Sequence, residues 1–229
     1  MSRLKYDGFE LEYFDNSQNF RNYQLSLIKK YLKNEIAEVG PGRGGFVDYY
    51  KKNAQSLCLV EPDKKLFRFL KKRYSNKKIT IKNSTIDKIQ NKFNTIMYFD
   101  VLEHIKNDLK EIKLAKKKLK KKGFLIFSVP AFQIFYNNFD KSVGHHKRYS
   151  KKDFRLIAYK TNLKIKKMIY YDSIGLLLVM FSKIFNLSNK NLENNIKIWN
   201  FLIPLSRFID LLTFNKFGKS LLCVFENDE

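Results

Sequence analysis

The amino-acid sequence predicts an α/β fold, a seven-stranded doubly wound sheet in one domain with helices on both faces. Two observations carry that expectation. Strand-like and helix-like periodicities alternate along the chain, the pattern of a mostly parallel sheet covered on both sides. The first strand also runs straight into a glycine-rich turn and then a helix, Gly40-Pro41-Gly42-Arg43-Gly44-Gly45. The length of 229 residues suits a single domain that buries its own core without disulfide or metal staples.

The elements follow in order. Asn16 or Ser17 is placed to cap a first helix whose inward stripe is Phe20, Leu27, Ile28, Tyr31 and Leu32, with Gln24 as a polar exception. Ile36 to Val39 is a strand, and a helix over about 46–53 follows the glycines. Leu57 to Val60 is the second strand, ending at Glu61, and Pro62-Asp63 opens a helix to about Tyr74. Ile79 to Ile81 and Thr95 to Phe99 read as the third and fourth strands. A helix then carries Ile105, Leu109, Ile112 and Leu119 on one face, and Gly123 separates it from a fifth strand, Phe124 to Val129. After a polar and aromatic connection, Ser150 caps a helix with Asp153 at its third position. Leu163 to Tyr171 is the sixth strand, two apolar helices follow, and Lys219 to Glu226 is the last strand. The expected organisation is a helical cap over 1–34, a core over 35–171, an apolar helical insertion over 172–218 and the last strand over 219–229.

Composition excludes several classes. Two cysteines in apolar runs, Cys58 and Cys223, make no disulfide framework and suit a reducing compartment. The acidic start and the absence of an apolar leader argue against a signal peptide. The longest apolar run, Ile174 to Phe181, is shorter than the roughly 18 residues of a membrane span, so a cytoplasmic protein is expected. A net charge of +23 admits an anionic partner. The charge is dispersed as Lys-Lys doublets rather than clustered with arginine and aromatics, which does not favour nucleic acid.

Chemistry concentrates around the glycines. A strand, a glycine turn and a helix amino terminus let backbone approach a nucleotide closely. Gly40, Gly42 and Gly45 also satisfy the dinucleotide fingerprint, so the loop alone leaves a nicotinamide cofactor open. Glu38, just before the glycines, favours a cationic ligand over a pyrophosphate, and Glu61 stands about 20 residues on, where a carboxylate meets ribose hydroxyls.

The segment Phe93-Asn94-Thr95-Ile96 … Asp100-Val101-Leu102-Glu103-His104-Ile105 resembles the "fD-x-I … D-V-L-E-H-I" segment of class I S-adenosylmethionine-dependent methyltransferases, with Asn94 where the family usually has Asp. Lys121-Lys122-Gly123-Phe124 to Pro130 is similar to their "kpGG" strand, one glycine replaced by Phe124. Pro130-Ala131, Asp140, Gly144-His145-His146-Lys147-Arg148-Tyr149-Ser150, Asp172-Ser173-Ile174-Gly175 and Gly218-Lys219-Ser220 resemble a bacterial subfamily with "PA … D … GH-x-RRY[ST] … D-S-x-G … G-K-S". The resemblance implies a Rossmann-like sheet with an antiparallel last strand and S-adenosylmethionine as cofactor. It implies Glu38, Gly40, Gly42 and Gly44 around the methionine moiety, and Glu61 at the ribose. Ser84 or Thr85 would lie near the adenine, where the family's acid is missing, and Asp100, Val101 and Leu102 would line the cofactor. The match names methyl transfer and leaves the acceptor unnamed.

A base suited to neutral pH would come from His104, His145 or His146. His104 reads as a hydrogen-bonding residue at the end of the fourth strand, and Glu103 as structural. His145 or Asp140 is expected at the acceptor, with Arg148 pairing an acidic group on it; the alternative is a loop brace in which Arg148 neutralises Asp140. No metal site is expected, because His145 and His146 lack helical ligand spacing and a nearby acid pair. The apolar stretches Ile174 to Phe185 and Ile198 to Phe214 read as helices buried against the sheet, the sharper alternatives being an acceptor channel, a dimer face or a peripheral membrane contact. In the second, Asn200, Arg207 and Asp210 make a polar stripe beside a wide face of Trp199, Leu202, Ile203, Leu205, Ile209 and Leu212. The acceptor expected is a small molecule or a lipid- or saccharide-linked O or N group. The competing readings are a nucleic-acid methyltransferase, a nicotinamide oxidoreductase and a non-catalytic nucleic-acid-binding protein.

Overall fold

The computed structural model describes residues 11–15, 17–74, 78–184 and 192–229. The elements are α1 (Leu11–Asp15), α2 (Gln18–Ile28), β1 (Glu35–Val39), α3 (Val47–Tyr50), β2 (Ser56–Val60), α4 (Lys64–Arg73), β3 (Ile79–Lys82) and β4 (Phe93–Phe99). Then come α5 (Asp108–Lys117), β5 (Leu119–Pro130), α6 (Asn138–Ser142), α7 (Lys151–Thr161), β6 (Lys164–Tyr171), α8 (Ser173–Ile184), α9 (Leu192–Leu212) and β7 (Ser220–Glu226). The sheet has seven strands in the order β3-β2-β1-β4-β5-β7-β6. Only β7 runs against its neighbours, between β5 and β6. The chain therefore has the Rossmann-like topology, and the strand order reverses between β1 and β4, which pair in parallel from Ile36–Thr95 to Val39–Tyr98.

Alternate residues of each strand feed two cores. In β4, Ile96 and Tyr98 enter the layer with Ile112, Phe127 and Phe154, whereas Met97 and Phe99 enter the layer with Phe46, Tyr50 and Leu70. Ser150 caps α7 through the reciprocal box with Asp153. Cys58 and Cys223 are buried and free. Gln24, the polar exception on the first helix, is buried and donates from Nε2 to the Tyr171 hydroxyl at 3.0 Å. Asn16 lies outside the described residues, and Ser17 occupies the N-cap position without a side-chain cap bond.

Three boundaries correct the sequence reading. Helix α5 ends at Lys117, and Leu119 belongs to β5, where it lies opposite Phe93; Ile105 precedes the helix. The strand runs through Gly123 instead of starting after it, because a Cβ there would sit 2.8 Å from the Lys120 carbonyl oxygen. Asp63, not Pro62, starts α4, its carboxylate accepting from the Lys65 and Leu66 amides.

The two apolar helices differ most from expectation. Helix α9 begins at Leu192 and turns Trp199, Ile203, Ser206 and Asp210 inward, while Phe201 (77% exposed), Leu205, Phe208 and Leu211 face solvent. Phe185 lies outside the described residues. The inward polar groups join one network around Asp172, which accepts from Gly175 N (2.9 Å), Trp199 Nε1 (2.9 Å) and Ser206 Oγ (3.2 Å) and pairs with Lys219 Nζ (3.2 Å). Asp210 receives the Tyr23 hydroxyl at 2.8 Å and the amides of Asp172 and Ser173 at 2.7 and 3.0 Å. Removing one partner of a buried ion pair strands the other, at a cost of about 3–5 kcal/mol. Asp172→Ala should therefore lower the stability measured by urea unfolding by that amount, and a loss under about 1 kcal/mol would show that the network is dispensable.

Candidate active site

The carboxyl end of β1 opens into the loop Gly40 to Gly45. Gly40, Gly42 and Gly44 hold φ of 67°, 59° and 80°, a region that side chains disfavour. Gly40 also has no room for one, since a Cβ would meet Val101 Cγ2 at 2.8 Å. Gly40 N donates to the Val60 carbonyl at 2.9 Å, and Gly42 N donates to Glu61 Oε2 at 3.1 Å. The other Glu61 oxygen accepts from Asp63 N at 2.9 Å. Glu61 thus ties the glycine loop to the start of α4. Burial pushes its carboxyl up to about 7 against those two amide bonds.

Glu38 is buried beneath the loop. Its carboxylate accepts from the Tyr50 hydroxyl, and burial pushes it up to about 7 although that bond and nearby Arg21 draw it down. Arg21 comes from α2, donates from Nη1 to Gln24 at 2.8 Å, and lies 4.0 Å from Asp100. Its Nε is buried without a hydrogen-bond partner among the described residues. Nothing local to Arg21 marks it in the sequence; only the fold brings α2 between Glu38 and Asp100.

Asp100 closes β4 with φ 55°, its amide held by the Ser128 carbonyl at 2.8 Å. Val101 packs on Gly40, and Leu102 is buried in the core. Glu103 is 1% exposed, yet neither carboxylate oxygen meets a hydrogen-bond partner among the described residues. Burial, followed by the charge of Asp100, raises its carboxyl well above the usual range. His104 is hydrogen-bonded to the Gly144 backbone, and burial followed by His145 pushes it down to about 4. Ser84 and Thr85, after β3, are engaged locally: Ser84 Oγ donates to the Thr85 carbonyl at 3.2 Å and Thr85 Oγ1 to Asp87 at 2.5 Å. Asn83 Nδ2 donates to the carbonyls of Glu61 and Pro62, the link between that loop and the acid.

The connection after β5 folds back over the β4 turn. His146 N donates to the Glu103 carbonyl at 2.7 Å, and the Tyr149 hydroxyl to the Leu102 carbonyl at 3.2 Å. Asp140, fully buried, receives Arg148 Nε at 3.0 Å, Arg148 Nη2 at 2.9 Å and Asn137 N at 2.9 Å, and its Oδ1 lies 2.7 Å from His145 Nδ1. Burial would raise that carboxyl, but the His145 and Arg148 bonds outweigh it and hold it below its usual value. Arg148 and Asp140 therefore form the loop brace, and His145 projects from it with Nε2 3.8 Å from Glu103 Oε1. Asp140, the loop neighbour that the sequence offers His145, is its partner, and the fold adds Glu103 and His104 from the end of β4.

A family model described as a methyltransferase domain matches residues 13–168. Ribosomal RNA small subunit methyltransferase A of Coxiella burnetii is 41% identical over 58 residues, 25% of this chain and 22% of that protein. The chain thus aligns with about a fifth of the length of the curated relatives it matches. Among solved structures, an S-adenosylmethionine-dependent methyltransferase from Archaeoglobus fulgidus is similar with a TM-score of 0.65 at 15% identity, over 96% of this chain and 98% of that one. The N-methyltransferase NodS from Bradyrhizobium japonicum, in complex with S-adenosylhomocysteine, scores 0.58 at 15% identity over 93% and 89% of the two chains. A methyltransferase from Clostridium acetobutylicum scores 0.60 at 12% identity over 98% and 96%. At these identities the likeness is one of fold.

The buried acids have a measurable consequence. Glu38 and Glu61 ionise near 4.5 when unfolded and near 7 when folded, so the unfolded chain gives up those protons first. Stability of the ligand-free protein should fall as pH rises from about 4.5 to about 7 and then level off. Urea midpoints across that range should drift downward, less so in Glu61→Gln; equal slopes in the two proteins would remove Glu61 from the effect.

Proposed function

The chain belongs to the methyltransferase-domain family, and from that premise we propose that it moves the methyl group of S-adenosylmethionine to an oxygen or nitrogen of a small or lipid- or saccharide-linked acceptor. The observation that carries the donor assignment is the glycine loop at the strand-order reversal, with a carboxylate on either side of it. Two desolvated acids favour a sulfonium and an ammonium and oppose the pyrophosphate of a nicotinamide cofactor. The residues fit the donor on two counts: Gly40, Gly42 and Gly44 hold positive φ and offer bare backbone, and Arg21 keeps a buried Nε with no hydrogen-bond partner among the described residues.

When bound, the donor supplies a methyl group already activated by positive sulfur. The chain's contribution is then positioning and water exclusion. Glu61 takes the ribose hydroxyls, Gly40, Gly42 and Gly44 pass backbone beside the methionine moiety, and Arg21 receives its carboxylate. Asp100, Val101 and Leu102 line the donor from β4, and Ser84 and Thr85 border the adenine. Glu38 acts from below, through Tyr50 and the field it creates. His145, oriented by Asp140 and Arg148, is the group of that trio that meets the acceptor.

The exposed apolar face of α8 and α9, Leu177, Phe181, Phe201, Leu205, Phe208 and Leu211, favours an acceptor presented at a lipid surface. Arg207 of the same helix and Lys216 after it are exposed, and the chain as a whole is strongly basic. No helix among the described residues is long and apolar enough to cross a membrane. The short match to a ribosomal RNA methyltransferase supports nucleic acid as the second reading.

Two measurements follow. Calorimetry should detect S-adenosylhomocysteine binding and no binding of NADH, and Gly40→Ala should weaken it at least about tenfold, since left-handed backbone alone costs a side chain about 1–3 kcal/mol. NADH binding in place of S-adenosylhomocysteine would overturn the assignment. Vesicles rich in anionic lipid should co-sediment the protein at low salt, and Phe201→Asp with Phe208→Asp should release it. Sedimentation unchanged in the double variant would remove the lipid surface.

A further inference from the structure

Glu103, His104 and His145 offer one carboxylate oxygen and two imidazole nitrogens that all lie within 4.8 Å of one another. We propose that these three residues bind a divalent transition-metal ion at the acceptor side of the site. The Glu103 carboxylate is 1% exposed and neither oxygen has a hydrogen-bond partner among the described residues, an expensive arrangement for a folded protein to keep. A proton would remove its charge but leave polar atoms unsatisfied; a cation removes the charge and occupies an oxygen.

The imidazoles are arranged as ligands are. His145 presents Nε2 toward Glu103 at 3.8 Å while its Nδ1 lies against Asp140 at 2.7 Å. That is the carboxylate–histidine pairing which fixes the tautomer and orients the free nitrogen on a metal. Asp140 is itself immobilised by Arg148 and Asn137. His104 is held from behind by the Gly144 backbone, and its ring stands edge-on to His145 with centroids 4.7 Å apart. Bonds of about 2.0–2.2 Å to a common ion need the three donors to draw in slightly, a side-chain motion.

Two imidazoles and one carboxylate select zinc, iron, cobalt or manganese over magnesium and calcium, which prefer oxygen ligands. Three protein donors leave coordination positions open, and a hydroxyl or amine of the acceptor is the ligand such a position would take. The ion would hold the acceptor in the place that the methyltransferase reading gives to His145, so its role rests on that reading, whereas metal binding itself does not.

The test uses the full chain stripped with a chelator and titrated with cobalt(II) alone, followed by visible absorption and calorimetry. One cobalt per chain is expected, with the d–d bands of a nitrogen and oxygen site. His104→Ala and His145→Ala should each weaken binding at least about tenfold, and Asp140→Asn by about 10–100-fold through His145. S-adenosylhomocysteine affinity, measured in the same samples, should change by less than about threefold, which reports that the variants are folded. Wild-type protein that binds no cobalt at millimolar concentration overturns the proposal, as does an affinity unaltered in the His104→Ala, His145→Ala double variant. Cobalt binding without S-adenosylhomocysteine binding would leave the metal site standing and remove the donor assignment.

Discussion

The site depends on one close approach, the contact of Gly40 with Val101. A side chain at Gly40 would fall 2.8 Å from Val101 Cγ2, so the ends of β1 and β4 stand as near as backbone and a branched side chain allow. From that contact the chain diverges on both sides. Gly40 leads into the loop that Glu61 holds by the Gly42 amide. Val101 leads into the tight turn that buries Leu102 and turns Glu103 and His104 toward the loop after β5. Glycine loop and histidine cluster are therefore two arms of one junction, at the place where the strand order reverses.

The electrostatics of that junction oppose those of the surface. The chain carries a net charge of +23, yet four acids gather at the carboxyl edge of the sheet, Glu38, Glu61, Asp100 and Glu103. Burial of Glu38, Glu61 and Glu103 destabilises their charged forms and raises each of them. The protein tolerates this because the rest of the sheet is a continuous apolar double layer. The same desolvation weakens the ligand-free fold, and positive charge brought beside these acids would relieve it.

Much of this was legible in the chain, where the physics is local. The strand–glycine–helix unit, the acid after β2 and the Ser150–Asp153 box each need only a few neighbouring residues to declare themselves. Leu119 failed because four lysine-rich positions, Lys116 to Lys118 and Lys120, fit an exposed helix face as well as a strand edge. The role of Arg21 and the encounter of Glu103 with His145 failed for a different reason. Their partners come from other elements, and no periodicity encodes a meeting between a turn after β4 and a loop after β5. Helix α9 failed through amphipathicity itself: its buried stripe contains Ser206 and Asp210, so polarity pointed outward on paper while the hydrogen bonds of Asp172 drew those residues inward.

That inversion separates two kinds of motif that look alike in sequence. Asp172-Ser173-Ile174-Gly175 and Gly218-Lys219-Ser220 meet each other and not the glycine loop. A Cβ at Gly218 would fall 2.2 Å from the Tyr171 carbonyl, and one at Gly175 would fall 2.1 Å from the Asp172 carboxylate. Lys219 completes the clamp by pairing with Asp172 while its ammonium sits 3.7 Å from the centre of the Trp199 ring. These residues fasten α8 and α9 to the edge of β6 and β7 beside the buried Trp199 and Ile203, while Phe201, Phe208 and Leu211 of α9 face outward. Gly144 to Ser150 differs, because its residues close over Glu103 and bring His145 to it. Of the segments that give the chain its distinctive pattern, one group thus mounts the helices whose apolar face points outward, and the other assembles the polar cluster beside the glycine loop.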